Sequence, residues 1–391
     1  MPIAAKTAVC WYVFCTAKGF RTVHLIPSVG LITVEHAQLH HKTHALVKRT
    51  SYLRQFLLYT VLAFWGAALS AQDIHFSQFG NAPMNLNPGL TGVFGGDLRF
   101  VGNYRSQWRG VPVPYSTFSG SIENKIYHKP NRYDRYFTGG LLLNYDKQGS
   151  LELTSMQIGI PIGMTMPVAK NNFLSIGITP AFGQRSFDTN RWTFDAQFVD
   201  CLFDPTASTR EDGTLFSDNL QYFDLSTGLN YRFQAPKSRT RFDIGGAMHH
   251  VNRPNHDFWT NAKDVRLAVR KSLYGLGMAQ ISDNFDLLGQ VLYQEQGTYR
   301  ELLYGLGGRL LLNSKPYEEL AIQVGVSFRH RYTDAFIWTA EVHWRTWTLG
   351  FSYDLNLSDF VVATNNRGGP EVALIYRLYK IKPVVKQCPI D

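Results

Sequence analysis

The stretch YFDLSTGLNYRF, residues 222–233, alternates throughout: Phe223, Leu225, Leu229, Tyr231 and Phe233 share one face, while Asp224, Ser226, Asn230 and Arg232 share the other. A repeat of two is the signature of a β-strand, whose successive side chains point to opposite sides. The pattern recurs near residues 97–106, 116–123, 136–146, 151–164, 173–185, 220–233, 241–250, 264–277, 286–294, 301–312, 319–329, 335–345, 347–354 and 371–379. A soluble β-sandwich also alternates, but roughly 320 residues of antiparallel strands is large for one sandwich. A closed sheet instead meets lipid on one face and water or protein on the other. The reading is therefore all-β: a transmembrane antiparallel β-barrel of about 14 strands. In the eleventh strand Leu320, Ile322, Val324, Val326 and Phe328 would meet lipid, while Gln323, Ser327 and Arg329 point inward. The narrowest separation lies at Arg345 and Thr346, between the twelfth and thirteenth stretches.

Ahead of the strands, Phe56 to Leu69 form an apolar run of 14 residues preceded by Lys48, Arg49 and Arg54 and followed by Ser70 and Ala71. That length suits the core of a secretory signal, whereas a spanning helix needs about 20 apolar residues. Cleavage is expected near Ala71-Gln72 or after Ser70. Residues 1–46, with Cys10, Cys15 and five histidines, show no strand pattern, and translation starting near Leu46 or Val47 would account for them. The chain thus divides into a leader (1–71), an N-terminal plug or strap (72–95), the barrel (96–380) and a tail (381–391). An even strand count places both termini in the periplasm. The longest connection, 186–219, then falls on the outer side with 251–263 and 355–370; 124–135 is long for an inner turn.

The formal charge of +9 is mostly a leader effect, since residues 72–391 hold 32 Lys and Arg against 29 Asp and Glu. No basic stripe remains for a nucleic-acid partner. Cys201 and Cys388 lie far apart in sequence, at opposite ends of the expected barrel, which argues against a disulfide. Aromatics at 14% suit interfacial girdles. The pairs Gly139-Gly140, Gly245-Gly246 and Gly307-Gly308 mark bends or close contact with a plug. His249 and His250, with Asp243, suggest an outer-membrane lipase only if a serine nucleophile is set against them, which no spacing supports. Asp200, Asp204, Glu211, Asp212 and Asp218 lack calcium-loop spacing and read as solvated loop charges. The expectation is no enzyme, no cofactor and no metal.

The opening DIHFSQFGNAPMNLNPGLTG, residues 73–92, is followed by Tyr104, Arg105, Gln107 and Trp108. Asp73, Phe76, Ser77, Gln78, Asn87, Pro88, Gly92 and the Tyr104 to Trp108 motif resemble the PorP/SprF family of Bacteroidota outer-membrane proteins. The turn from His250 to Pro254, the strand Leu349 to Asp354, Glu371 opening the last strand, and Cys388-Pro389 continue the likeness. The resemblance implies a role in type IX secretion, where such barrels accompany large surface adhesins, including those of gliding motility, and recognise a C-terminal domain of the cargo. Partners would then be an adhesin-like cargo, secretion components and outer-membrane lipid.

Two stretches stand out as candidate sites. Residues 73–95 could fold inward as a plug, with Phe76, Phe79, Met84, Leu86 and Leu90 for apolar contact and Asn81, Asn85 and Asn87 for polar walls; an ordered periplasmic strap is the alternative. The long outer connection carries Trp192, Phe194, Phe198, Phe203 and Phe216, more aromatics than a solvated loop needs, which points to partner binding. The rival function is a fatty-acid-transporter-like barrel for hydrophobic small molecules.

Overall fold

The alternation is realised as one sheet that closes on itself. The computed structural model describes residues 73–107, 115–129, 132–149, 152–188, 193–199, 202–209, 217–258, 265–315, 318–330, 335–358 and 366–379. Its barrel strands are β1 (Leu98–Gln107), β2 (Tyr115–Lys129), β3 (Arg132–Gln148), β4 in two pieces (Leu153–Gly159 and Ile162–Ala169), β5 (Asn172–Ser186), β6 (Asn219–Gln234) and β7 (Arg241–His249). They continue with β8 (Arg270–Gln280), β9 (Phe285–Gln296), β10 (Tyr299–Asn313), β11 (Leu320–His330), β12 (Ala335–Trp344), β13 (Trp347–Asn356) and β14 (Arg367–Leu378). Each pairs antiparallel with its sequence neighbour, and β1 closes on β14 in a register running from Leu98 opposite Leu378 to Arg105 opposite Glu371. The fold is a closed antiparallel barrel of fourteen crossings. The break in β4 falls at Ile160-Pro161, where proline has no N–H to give to the ladder.

Burial separates the two faces as the pattern demands. On β11, Val324 is 57% exposed and Ser327 is 1% exposed, and Ile322, Val326 and Phe328 are exposed with Val324. Aromatic clusters mark the two rims: Trp347 stacks near Tyr376 at 4.4 Å at one end, and Phe328 packs against Tyr304 at 6.1 Å and Phe336 at 5.2 Å at the other. A charge on the outer face would be stranded in hydrocarbon. Val324→Arg is expected to destabilise the barrel by about 2–4 kcal/mol, whereas Phe328→Trp is expected to change little; unfolding in denaturant from lipid vesicles measures both.

One expectation about the connections needs correction. β2 and β3 run on to Lys129 and Arg132, so the segment 124–135 is a continued hairpin rather than a long turn. Its polar alternation is tight enough to keep pairing, with Tyr127 opposite Tyr136 and their rings 5.7 Å apart. The glycine pairs, in turn, each put one glycine inward, and there a Cβ would meet the neighbouring strand: Ile122 O at 2.3 Å from Gly140, Val324 O at 2.7 Å from Gly307, and the Tyr274 ring at Gly245. The nearest atoms at these three glycines belong to neighbouring strands and not to the N-terminal segment. Arg345, with φ 55°, and Thr346 form the turn between β12 and β13.

The strand ends at Ser186 and Asn219, His249 and Arg270, and Asn356 and Arg367 share one end of the barrel; those flanking the turns after even-numbered strands, such as 170–171, 235–240 and 345–346, share the other. We call these the long-connection and short-turn ends. Residues 193–209 form a separate unit of the chain. It holds a 3-10 turn at Asp195–Gln197 and a two-residue hairpin, Phe198–Val199 against Leu202–Phe203. Residues 1–72, Cys201, and residues 380–391 with Cys388 lie outside the described residues.

Candidate functional site: the occupied lumen

Residues 73–97 run through the barrel before β1 begins. The segment is built from one-turn pieces, a 3-10 turn at Phe79–Asn81, a helical turn at Pro83–Leu86 and a 3-10 turn at Pro88–Leu90. Proline opens the second and third, where a missing N–H costs nothing. The Asn87 side chain accepts from Gly89 N at 2.7 Å and so starts the last turn. No piece is long enough to be stable alone; its order comes from the wall.

The chain crosses the lumen end to end. Asp73 N donates to Gln296 Oε1 at 3.3 Å at the end of β9, and the Asp73 carboxylate meets His250 Nε2 at 2.5 Å just beyond β7. Asp97 N, at the far end, donates to Leu378 O at 2.9 Å. Asp73 therefore lies at the long-connection end and Leu378 at the short-turn end, at opposite mouths of the barrel. Strand parity locates the mouth where β1 starts, but carries no information about a segment that first traverses the lumen.

Near the long-connection end a charged network holds the segment. Two successive backbone donors, Ser77 N and Gln78 N, give hydrogen bonds of 2.8 and 2.9 Å to the two oxygens of Glu371 on β14. Ser77 Oγ donates to Asp354 Oδ2 at 2.8 Å, and the same oxygen accepts from Arg105 Nη2 at 2.8 Å and Arg329 Nη1 at 3.1 Å. Arg105 Nη1 also donates to His75 O at 2.8 Å, and Arg329 Nη2 to Ser77 Oγ at 2.7 Å. Arg105, Asp354 and Glu371 are all almost fully buried. Buried charges of this kind persist only when paired and fully hydrogen-bonded, so the SQ dipeptide and the wall arginines require one another.

Midway, Phe79, Leu86, Leu90 and Val93 join Tyr274, Leu292, Leu303 and Ile337 of the wall in one apolar cluster. Asn87 Nδ2 donates to Leu229 O at 2.8 Å and to Tyr274 Oη at 3.0 Å. The backbone here touches the wall directly: a Cβ on Gly177 would lie 2.0 Å from Pro88 O, and one on Gly228 1.8 Å from Asn87 Oδ1. Further on, Gly92 adopts φ 84°, its N–H donates to Glu123 Oε2 at 2.6 Å, and Tyr136 Oη donates to its carbonyl at 3.0 Å.

The motif residues thus do not form one group. Asp73, Phe76, Ser77, Gln78, Asn87, Pro88 and Gly92 are in the lumen segment and Arg105 reaches it, but Tyr104 is 41% exposed on the outer face. Gln107 ends β1, and Trp108 lies outside the described residues. Among the aromatics of the long connection, Phe198 and Phe203 pack 5.4 Å apart in the small hairpin unit, which leaves them and Leu202 exposed. Phe194 precedes its 3-10 turn; Trp192 and Phe216 lie outside the described residues. Sequence reasoning passed over Glu123, Glu301 and Glu341 of the wall. Their signal is a carboxylate at an inward position of an alternating strand.

His249 and His250 divide their work. His249 Nδ1 lies 3.2 Å from Ser226 Oγ of the wall and its Nε2 3.4 Å from Leu86 O of the lumen segment, so this ring touches no carboxylate among the described residues. His250, with φ 58°, sits between Asp73 and Asp224, whose Oδ1 is 2.9 Å from Nδ1. Burial alone would lower the pKa of His250, but Asp73 and Asp224 outweigh it and push it up to about 9. For Asp73, burial alone would raise the carboxyl, yet His250 and Arg270 hold it well below the usual range. A histidine whose folded pKa is raised contributes stability that is fully present below its unfolded value near 6.5 and is lost as pH rises through 9. Release of the Asp73 end, followed by reaction of a cysteine at Ile74, is expected to increase between pH 8 and 10, and His250→Gln is expected to remove that step. An unchanged step in His250→Gln would sink the assignment.

A cavity of about 70 Å³ remains between the segment and the wall, with Asn144, Gln157, Arg185, Tyr222 and Asp224 in its lining. Among the described residues no group of three or more His, Cys, Asp or Glu is placed to hold a metal.

Comparison with solved structures finds distant likenesses. The toluene transporter TodX of Pseudomonas putida shares 8% identity at a TM-score of 0.44, covering 76% of this chain and 92% of that one. The monoaromatic hydrocarbon channel CymD gives 12% at 0.43, covering 78% and 94%, and BamA of Haemophilus ducreyi 8% at 0.37, covering 72% and 70%. No curated protein matches the chain significantly. A family model described as type IX secretion system membrane protein PorP/SprF matches residues 68–376, spanning the lumen segment and nearly the whole wall that encloses it; the chain belongs to the PorP/SprF family, as an outer-membrane β-barrel of type IX secretion.

Proposed function

We propose that this barrel partners the export or surface attachment of a large adhesin-like protein, of the kind that serves gliding, by binding that cargo's C-terminal domain. The observation that carries the reading is the family match over residues 68–376. The geometry narrows how it would work. With residues 73–97 filling the lumen, a polypeptide has no open route through the barrel, so contact with cargo falls to the mouths and connections. The long-connection end faces the cell exterior in this reading, which puts Asp73 at the surface and Leu378 in the periplasm.

The hairpin unit is the contact surface we favour. Phe198 is 53% exposed and Leu202 74% exposed, a concentration of apolar area that a solvated loop does not need. Deleting Asp195 to Thr214 is expected to leave barrel assembly intact and to remove the cargo from the cell surface, as judged by surface proteolysis. Wild-type display of the cargo in that deletion would end this reading. Uptake of fatty acid by vesicles carrying the purified protein would instead favour a transporter of hydrophobic small molecules.

A further inference from the structure

The inner wall at the short-turn end is rich in arginine, and only part of that charge is neutralised. Arg99 pairs with Glu123, Arg232 with Asp243 at 2.8 Å, and Arg239 with Asp286 at 2.9 Å. Arg241 on β7, Arg309 on β10 and Arg377 on β14 have no carboxylate within ion-pair distance among the described residues. All three occupy inward positions, because Asp243, Gly305 and Glu371 on the same parity are buried against the lumen. Arg241 and Arg377 make no side-chain hydrogen bond among the described residues, and the Nε atoms of Arg309 and Arg377 are buried without a partner. Arg309 instead rests Nη2 against His343 Nε2 at 2.8 Å and Nη1 against Met278 Sδ at 3.5 Å.

These guanidiniums share one space. Arg241 opens β7, Arg309 lies four residues before the end of β10 and Arg377 one residue before the end of β14, so all three stand at the short-turn mouth, with Asp243, Asp286 and Glu341 as the nearby carboxylates. Glu341 faces the same space, but its oxygens are engaged by Asn81 Nδ2 at 2.9 Å and by His343 Nε2 at 3.1 Å. Like charges gathered in a partly desolvated mouth repel, and a guanidinium does not escape by shedding its proton. The three arginines without an ion-paired carboxylate leave positive charge at inward positions of the mouth, which an anion would neutralise.

We propose that the short-turn mouth is a receptor for an acidic peptide segment of a partner protein, whose carboxylates are taken by Arg241, Arg309 and Arg377. Guanidinium forks match carboxylates in two-point contacts. Lipid headgroups lie outside the wall and do not reach an inward face. The three groups stand on three separate strands, which suits carboxylates spaced along a peptide better than one small ion. Nothing in the site depends on the secretion reading, so the purified barrel tests it separately from cargo display.

The test is titration of fluorescent hexaglutamate against the full barrel in neutral maltoside micelles, with inorganic phosphate and hexalysine as comparisons. Hexaglutamate is expected to bind, with affinity falling steeply as salt rises. Arg241→Gln, Arg309→Gln and Arg377→Gln are each expected to weaken it roughly tenfold, while Arg300→Gln, an exposed arginine near the opposite mouth, leaves it unchanged. Absent binding, binding untouched by the triple variant, or phosphate binding as tightly as the peptide would each overturn the proposal. Heat-dependent migration on gels confirms barrel closure in each variant. Should the triple variant fail to close, the native protein still decides, because hexaglutamate affinity independent of salt also overturns the proposal.

Discussion

Arg105→Ala is expected to free the start of the lumen segment and to cost the barrel on the order of 3–5 kcal/mol, the range for removing one member of a buried charge group. Arg105 gives its two Nη atoms to Asp354 and to the His75 carbonyl, and its Nε lies 3.9 Å from Glu371. Without it, Asp354 and Glu371 face each other with Arg329 alone for compensation. The loss would not be recovered by solvent, because Ser77 and Glu371 are sealed from water. Arg105→Lys restores the charge but not the fork that reaches two acceptors at once, so it is expected to recover only part of the stability. Denaturant unfolding from vesicles measures the cost, and protease cleavage after Phe76 reports release of the segment. A variant as stable as the parent, with the segment still protected, would show that the network is incidental.

The second large effect concerns space rather than charge. Gly177→Val puts a side chain where Pro88 O already lies 2.0 Å from a bare Cβ, on an inward position of β5. Valine suits a strand better than glycine does, so the wall is expected to hold while the segment is displaced. Overpacking of this kind costs about 1–3 kcal/mol when side chains can shift, but here the obstacle is backbone. The expected outcome is an open lumen: planar-bilayer conductance rising from near zero to that of a water-filled pore. A closed variant, with conductance equal to the parent's, would mean that the segment passes β5 by another path. Gly246→Val, on the outward side of β7 where the nearest atoms are the Leu273 side chain, supplies the control.

Both effects depend on features that differ in how plainly the sequence displays them. Strand number and faces are legible because the lipid requirement writes itself into every second residue; the set from Leu320 to Phe328 leaves no other register. Even the turn at Arg345-Thr346, with almost nothing to mark it, emerges once both flanking strands must reach the rim. Lumen contents are less legible. Asn87 and Gln78 are recognisable as polar side chains in an apolar run, but their partners, Leu229 O, Ser352 and Glu371, are set by tertiary placement of strands more than a hundred residues away. The path of the segment is invisible for the same reason: one-turn helices at Pro83 and Pro88 carry no direction relative to the barrel axis. Arg241, Arg309 and Arg377 look like ordinary inward charges until the surrounding carboxylates are assigned to other partners.

The most direct test of the whole account is a spin-label scan along β11, residues 320–330, in lipid vesicles, read by collision with oxygen and with a water-soluble nickel complex. Labels at Ile322, Val324 and Val326 are expected to meet oxygen and not nickel, and a label at Ser327 to meet neither while the lumen segment is in place. Nickel reaching Val324, or free nickel access at Ser327 in the intact protein, would contradict a lipid-embedded barrel with an occupied lumen.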